Sequence, residues 1–264
     1  MVDVTLHNGD CLKYMRTLPD GVFDLTVTSP PYDNLRTYGK DFDAAKFDWQ
    51  SIIAELHRVT KTGGVVVWVV ADATIKGSET GTSFRQALWA MECGFNLHDT
   101  MIYRTNKPPM NDNRYQSCFE YMFVFSKGKP KVFNALKTKC KHAGKRNTSR
   151  IYVNADGSTK KMSKPGVYNQ TKVLENIWFF SSGNDRPGHP APFPESLARD
   201  HILSWSNAGD TVFDPMMGSG TTGKMAKLHG RKFVGCELDA GYFEIARQRI
   251  EAAQAQPTLF EAAD

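Results

Sequence analysis

The sequence predicts an α/β protein on a doubly wound, mostly parallel sheet, carrying an inserted basic region. Three observations point there. Runs of strand length, Phe23–Val27, Val65–Val70, Thr211–Phe213 and Lys232–Glu237, alternate with segments of helical period. Val65–Val70 is apolar at every position, the pattern of a parallel strand covered on both faces. At 264 residues the chain can bury a full core, as one large domain or one domain with an insert.

In order, Val4–Leu6 reads as a short strand ending at Asn8-Gly9-Asp10, and Cys11–Leu18 as a short helix with Leu12, Met15 and Leu18 on one side. Pro19-Asp20-Gly21 is a turn into the Phe23–Val27 strand. Asp33–Asp48 reads as a loop, and Trp49–Val59 as a helix that ends at Lys61–Gly64. After the Val65–Val70 strand, a helix over Ser83–Glu92 is expected to turn Phe84, Leu88 and Met91 inward. Met101–Tyr103 and Tyr121–Phe125 are strands near the far edge. Asn154–Ser158 is a turn, with Val153 closing a strand before it, in a region of loops and short strands. Helices over Glu195–Ser204, from the glycine-rich turn to His229, and from Asp239 onward complete the alternation.

No apolar run approaches the roughly 20 residues that span a bilayer, and the N-terminus lacks the basic and apolar regions of a secretion signal. Cys11, Cys93, Cys118, Cys140 and Cys236 are odd in number and widely spaced, unlike a disulfide framework or a zinc site, so a cytoplasmic setting is expected. Charge is unevenly spread. Thirteen Lys and Arg but one acid, Asp156, lie between Lys127 and Lys172, a local excess of +12 that leaves the remainder at −7. That asymmetry points to a polyanion partner.

Two motifs carry the chemistry. Phe23–Val27 runs into Thr28-Ser29-Pro30-Pro31-Tyr32. The proline pair fixes two φ angles and removes two N–H donors, leaving a stiff loop rich in acceptors beside an aromatic ring. Such a loop suits a planar, amine-bearing ring; a merely proline-terminated strand is the plainer reading. The second motif, Gly218-Ser219-Gly220-Thr221-Thr222-Gly223, lies between a strand and a helix, and Glu237 follows 23 residues after Asp214. That spacing places an acid where it takes both hydroxyls of a ribose. Alone it fits a dinucleotide or S-adenosyl-L-methionine equally.

Together, Thr28–Tyr32 and Asp214-Pro215-Met216-Met217-Gly218-Ser219-Gly220-Thr221-Thr222 resemble the S-adenosylmethionine-dependent amino-methyltransferases of DNA, in their β arrangement. The likeness covers residues 4–126 and 176–250. It implies a Rossmann-like catalytic and cofactor-binding domain over 1–126 and 176–264, with 127–175 as an inserted target-recognition region. It further implies S-adenosyl-L-methionine at Asp10 and Cys11, at His189, Pro192 and Phe193, at Asp214, Pro215, Gly218, Ser219, Gly220, Thr221 and Thr222, and at Glu237 and Leu238. Ser29, Pro30, Pro31 and Tyr32 become the catalytic loop. Ser-Pro-Pro-Tyr goes with cytosine N4 in that family and Asp-Pro-Pro-Tyr with adenine N6, so cytosine N4 of a flipped base in double-stranded DNA is expected. Adenine N6 is the first alternative, and an RNA base methyltransferase the next. A nucleotide-dependent oxidoreductase would explain Gly218–Gly223 but not Ser29–Tyr32. Methylation at cytosine C5 needs a nucleophilic thiolate, usually in a Pro-Cys pair, and no proline here precedes a cysteine.

Lesser candidates are Phe119 as a pocket wall, Asn34, Arg36 and Tyr38 as closing groups, and Arg146 and Arg150 as base readers. Gln256-Pro257-Thr258-Leu259-Phe260 resembles the short peptides that dock bacterial proteins into the replication sliding clamp; a Leu-Phe pair folding back on the body fits as well.

Overall fold

The structure, a computed structural model, describes residues 3–31, 47–105, 114–147, 151–161, 166–180 and 194–253. The elements are β1 (Val4–Asn8), α1 (Cys11–Arg16), β2 (Phe23–Thr28), α2 (Trp49–Val59), β3 (Thr60–Val70), β4 (Thr74–Ile75), β5 (Ser78–Glu79), α3 (Thr82–Glu92), β6 (Asn96–Arg104) and β7 (Phe119–Ser126). Next come β8 (Lys137–Lys139), β9 (Arg146–Asn147), β10 (Ile151–Val153), β11 (Thr159–Lys161), β12 (Gly166–Val167) and β13 (Thr171–Val173). The chain finishes with β14 (Ile177–Phe179), α4 (Glu195–Trp205), β15 (Thr211–Asp214), α5 (Thr221–Leu228), β16 (Lys232–Glu237) and α6 (Ala240–Ala252). They form two compact units, Met1–Asn134 with Asn176–Asp264, and Ala135–Glu175.

The larger unit is an eight-stranded sheet in the order β1-β16-β15-β2-β3-β7-β6-β14, parallel except where β7 runs against both neighbours. Successive residues of β2 and β3 point to opposite faces, and both faces are covered. Met15, Ile52, Ile53, Leu56, Ala87 and Ala90 of α1, α2 and α3 pack on one, with Val66, Trp68 and Val70. Leu197, Ile202, Met225, Ala226, Ala246 and Ile250 of α4, α5 and α6 pack on the other, with Leu25, Val27, Val65, Val67 and Val69. A fully buried aliphatic side chain of this kind contributes about 1.5–3 kcal/mol, so double coverage explains why Val65–Val70 has no polar face. The strand order reverses between the parallel neighbours β15 and β2: β2 leads through α2 to β3 on one side, and β15 leads through α5 to β16 on the other. Open α/β sheets bind ligands at the carboxyl ends of the strands flanking such a reversal.

Two features depart from the sequence expectations. Pairing in β3 begins at Thr60, opposite Phe23, so Lys61–Gly64 belongs to the strand and forms a bulge in it. Helix α3 is rotated: Ser83, Gln86, Ala87 and Ala90 are buried, whereas Phe84, Leu88 and Met91 are 50%, 60% and 46% exposed. Polar demand and close approach explain the rotation. Trp68 is fully buried and donates its indole N–H to Gln86 Oε1 at 2.8 Å. The Asp72 carboxylate receives the Ser83 N–H at 3.0 Å, and the two alanines let the helix lie close to the sheet. A larger residue at Ala87 or Ala90 would push the helix away from Trp68.

The smaller unit is a ribbon. β8 pairs with β13, β9 with β12, and β10 with β11, all antiparallel and nested about one turn at Asn154–Ser158. In that turn Asn154 N–H donates to the Ser158 carbonyl at 2.8 Å, and Asp156 Oδ1 accepts from Ser158 N–H at 2.8 Å. The sequence suggested loops and short strands because each paired segment is only two or three residues long, too short for an alternating pattern to show. Among the described residues, no helix is long and apolar enough to cross a membrane.

Candidate active site

The two motifs meet where the sheet reverses. Val212 and Phe213 of β15 lie beside Leu25 and Thr26 of β2, which sets Asp214 against Thr28. The Thr28 hydroxyl donates to Asp214 Oδ1 at 2.8 Å across 186 residues of sequence. The same oxygen accepts the Met216 N–H at 3.1 Å. The Thr222 hydroxyl, 3.2 Å from the Val27 carbonyl, also reaches this carboxylate. Three donors would normally favour a charged carboxylate, yet burial outweighs them and lifts the Asp214 pKa from an ordinary 3.8 to about 7. Asp214 is thus a buried acid short of positive charge.

Beyond it, Met216–Gly220 turns sharply, with Met217 N–H bonded to the Cys236 carbonyl and Gly220 N–H to the Met217 carbonyl. Gly218 N–H reaches Glu237 Oε2 at 2.8 Å, and Asp239 N–H reaches Oε1 at 2.9 Å. Burial holds the Glu237 pKa above the usual glutamate value despite these donors. Leu238 beside it is 65% exposed.

β1 joins this edge because it pairs with β16 from Val4↔Phe233 to Asn8↔Glu237. Asn8 Nδ2 donates to the Glu237 carbonyl at 2.8 Å, and the Gly9 N–H bonds to the same carbonyl at 2.9 Å. Asp10 then caps α1, accepting the Lys13 N–H at 2.9 Å, and is exposed at the same edge as Glu237. Burial and the neighbouring Asp10 push the Cys11 thiol up to about 12, so it is a neutral thiol rather than a nucleophile.

Ser29 follows β2 directly and is half-buried, Pro30 is buried and Pro31 half-buried. Phe119 begins β7, 38% exposed and edge-on to Tyr121, at the strand end that faces the end of β3. Tyr32, Asn34, Arg36, Tyr38, Arg150, His189, Pro192, Phe193 and Gln256–Phe260 lie outside the described residues. Pro215, Ser219, Gly220, Thr221 and Thr222 are buried and shape the turn from behind. Arg249 holds it, donating to the Ser219 hydroxyl at 2.9 Å and pairing with Glu195 at 2.9 Å, which also receives Lys224 at 2.7 Å. Thr28 and Asn8 lie within sequence motifs but have no role of their own there, and Arg249 lies in none. The adjacent hydroxyls of Thr28 and Ser29 were the only signal for the first, and nothing local marks Arg249.

Gly220 shows how tightly the turn is set. Its φ is +79°, and a Cβ there would lie 2.9 Å from Cα and Cβ of Ala246 in α6. Gly220→Ala is expected to cost about 1–3 kcal/mol through strain and overpacking, read as a lower denaturant midpoint with an unchanged m-value.

Glu237 at the end of β16 and the proline loop at the end of β2 flank the reversal of the sheet, an arrangement that suits nucleoside-dependent methyl transfer, and a known family matches the chain. The family model for DNA methylases of the N6/N4 methyltransferase type matches residues 23–248. The chain belongs to this DNA methylase family. M.BamHII, an orphan methyltransferase of Bacillus amyloliquefaciens, is 51% identical over 242 residues, covering 88% of this chain and 90% of the relative. The DNA adenine methyltransferase YhdJ of Escherichia coli (strain K12) is 28% identical over 268 residues, covering 94% and 83%. The solved cytosine-N4-specific PvuII DNA methyltransferase shares the fold with a TM-score of 0.69 at 20% identity, covering 96% of this chain and 90% of that one. S-adenosyl-L-methionine is the cofactor of this DNA methylase, and solved structures of the same fold hold it.

The described residues suit that cofactor. Glu237 keeps lone pairs on both carboxylate oxygens after accepting two N–H groups, as a ribose diol needs. Asp214 is an under-compensated acid beside the turn, as a cationic ligand needs.

Proposed function

We propose that this DNA methylase modifies the exocyclic N4 of cytosine in double-stranded DNA, on a base turned out of the helix. Ser29 carries the reading: a hydroxyl, not a carboxylate, stands before Pro30-Pro31 at the end of β2. An exocyclic amine is a poor nucleophile because its lone pair is delocalised into the ring. The Ser29 hydroxyl and Pro30 carbonyl would accept its two N–H bonds, so the nitrogen pyramidalises with its lone pair free. S-adenosyl-L-methionine supplies a methyl group on a positively charged sulfur. Glu237 would hold the ribose hydroxyls, and Leu238 and Asp10 would bound the adenosine end. Asp214 would balance the positive charge. Tyr32 would stack on the extruded base. Most of the acceleration would come from alignment and preorganised acceptors rather than a strong base.

The ribbon of the smaller unit would meet the DNA. A two-stranded ribbon is one of the few elements that the major groove admits, and this one carries Lys137, Lys139, Lys145, Arg146 and Lys160. Lys172 is already paired with Glu175 at 2.5 Å, so it is a poorer phosphate ligand than its neighbours. Lys137→Ala with Lys139→Ala is expected to weaken binding across all sequences and to flatten the plot of log affinity against log salt by about 1–2 units.

Adenine N6 is the second reading, favoured by the likeness to YhdJ. Expression in a bacterial host free of DNA methylation, followed by single-molecule sequencing of its genome, tests the two. Modified cytosines within one fixed sequence are expected; modified adenines would establish the second reading, and an unmodified genome would refute both.

A further inference from the structure

We infer that the β4–β5 hairpin probes the DNA duplex, with Ile75 entering as an apolar wedge that fills the space left by the extruded base. The inference rests on the reading above, in which the methylated base is turned out of the helix. Thr74 pairs with Glu79 and Ile75 with Ser78, so Lys76-Gly77 is a two-residue turn. Both turn residues have left-handed φ, +49° and +81°, the pattern of a type I′ turn, which favours Asn or Gly. Lys76 is the one non-glycine residue with positive φ among the described residues. Strain of this kind persists where the surroundings impose it, and it clusters at functional positions.

Those surroundings hold the hairpin from three sides. The Thr80 N–H donates to the Ala73 carbonyl at 2.9 Å and closes its base. The Asp72 carboxylate accepts the Thr80 hydroxyl at 3.2 Å and the Ser83 N–H at 3.0 Å, tying that base to the start of α3. Arg114, in the segment leading to β7, donates to the Gly77 carbonyl at 2.6 Å and to the Thr74 hydroxyl at 3.4 Å. Successive side chains of a strand point opposite ways. Thr74 faces Arg114, so Ile75 faces away from that support, and it is 48% exposed. The hairpin leaves the carboxyl end of β3, the strand beside β2, at the edge where Ser29 and Pro30 follow β2. A stiff tip that presents a branched apolar side chain next to an exposed lysine suits a duplex opened at one base. The apolar group replaces the lost stacking, and the lysine takes a backbone phosphate. Extrusion costs unpairing and unstacking, and a filled gap keeps the base from returning.

Single-turnover methylation by wild type and Ile75→Ala tests this on two duplexes carrying the sequence that the wild type modifies. In one the target base faces its complement; in the other it faces an abasic site, so no pairing opposes extrusion. Ile75 lies outside both cores, so the variant should fold, which circular dichroism verifies. On the paired duplex Ile75→Ala is expected to be slower by about tenfold or more, and on the abasic duplex within about twofold of wild type. Equal loss on both duplexes, or no loss on either, would overturn the wedge while leaving the methyl transfer itself intact. A wild type that methylates neither duplex would instead overturn the reading of a flipped, methylated base, and the wedge with it.

Discussion

Ser29→Ala is expected to lower kcat by about 10²–10³-fold while leaving S-adenosyl-L-methionine affinity within about twofold. The range is the usual loss on removing one preorganised hydrogen-bonding group that acts on charge developing in a transition state. Ser29, at the end of β2, is proposed to hold the amine and the Glu237 edge to hold the adenosine, so loss of the hydroxyl should leave cofactor binding largely intact. The fold should survive, because Ser29 is only half-buried and the buried anchor of this strand end is Thr28, not Ser29. Single-turnover rates with saturating cofactor, beside a direct cofactor titration, separate the two effects. Equal loss in both would mean that the hydroxyl supports the architecture rather than the amine.

The second large effect belongs to Asp214. Its pKa near 7 is raised above the unfolded value near 3.8, so the native state holds a proton that the unfolded chain has already released across that interval. Stability contributed by this group is therefore greatest below about pH 4 and declines as pH rises to 7, where the buried carboxylate ionises. A cationic ligand reverses that penalty by favouring the charged form. Cofactor affinity should consequently rise about tenfold between pH 5.5 and 7 as the binding-competent carboxylate becomes populated. Asp214→Asn should bind weakly and without that pH dependence. Asp214→Ala should be worse, since it strands the Thr28 hydroxyl and the Met216 N–H in a buried site, at about 1–3 kcal/mol for each orphaned group. Calorimetric titration at several pH values, with thermal melts of the unliganded variants, reads both consequences.

Much of this architecture is written in short stretches. Val65–Val70 must be a buried strand because nothing in it is polar, Phe23–Val27 is apolar at alternate positions, and the glycines of Gly218–Gly223 mark a tight turn into a helix, with no room for a side chain at Gly220 or Gly223. The acidic edge at Glu237 followed from spacing alone. What could not be read depends on partners far away in sequence. The apolar residues of α3 have clean helical period, yet they face outward because Trp68 requires Gln86 and the sheet requires alanines. The bond from Thr28 to Asp214 joins two strands that only the sheet order makes neighbours. The ribbon between Lys137 and Val173 gave no period-2 signal because its paired segments are only two or three residues long.

The proposed chemistry turns on which exocyclic amine the Ser29 hydroxyl would hold. Purified protein, methyl-labelled S-adenosyl-L-methionine and unmethylated duplex DNA, digested to nucleosides and resolved by mass spectrometry, answer this in one measurement. The label is expected in N4-methyldeoxycytidine, with Ser29→Ala giving the same product more slowly. Label in N6-methyldeoxyadenosine would contradict the assignment of Ser29 and Pro30 to a cytosine amine.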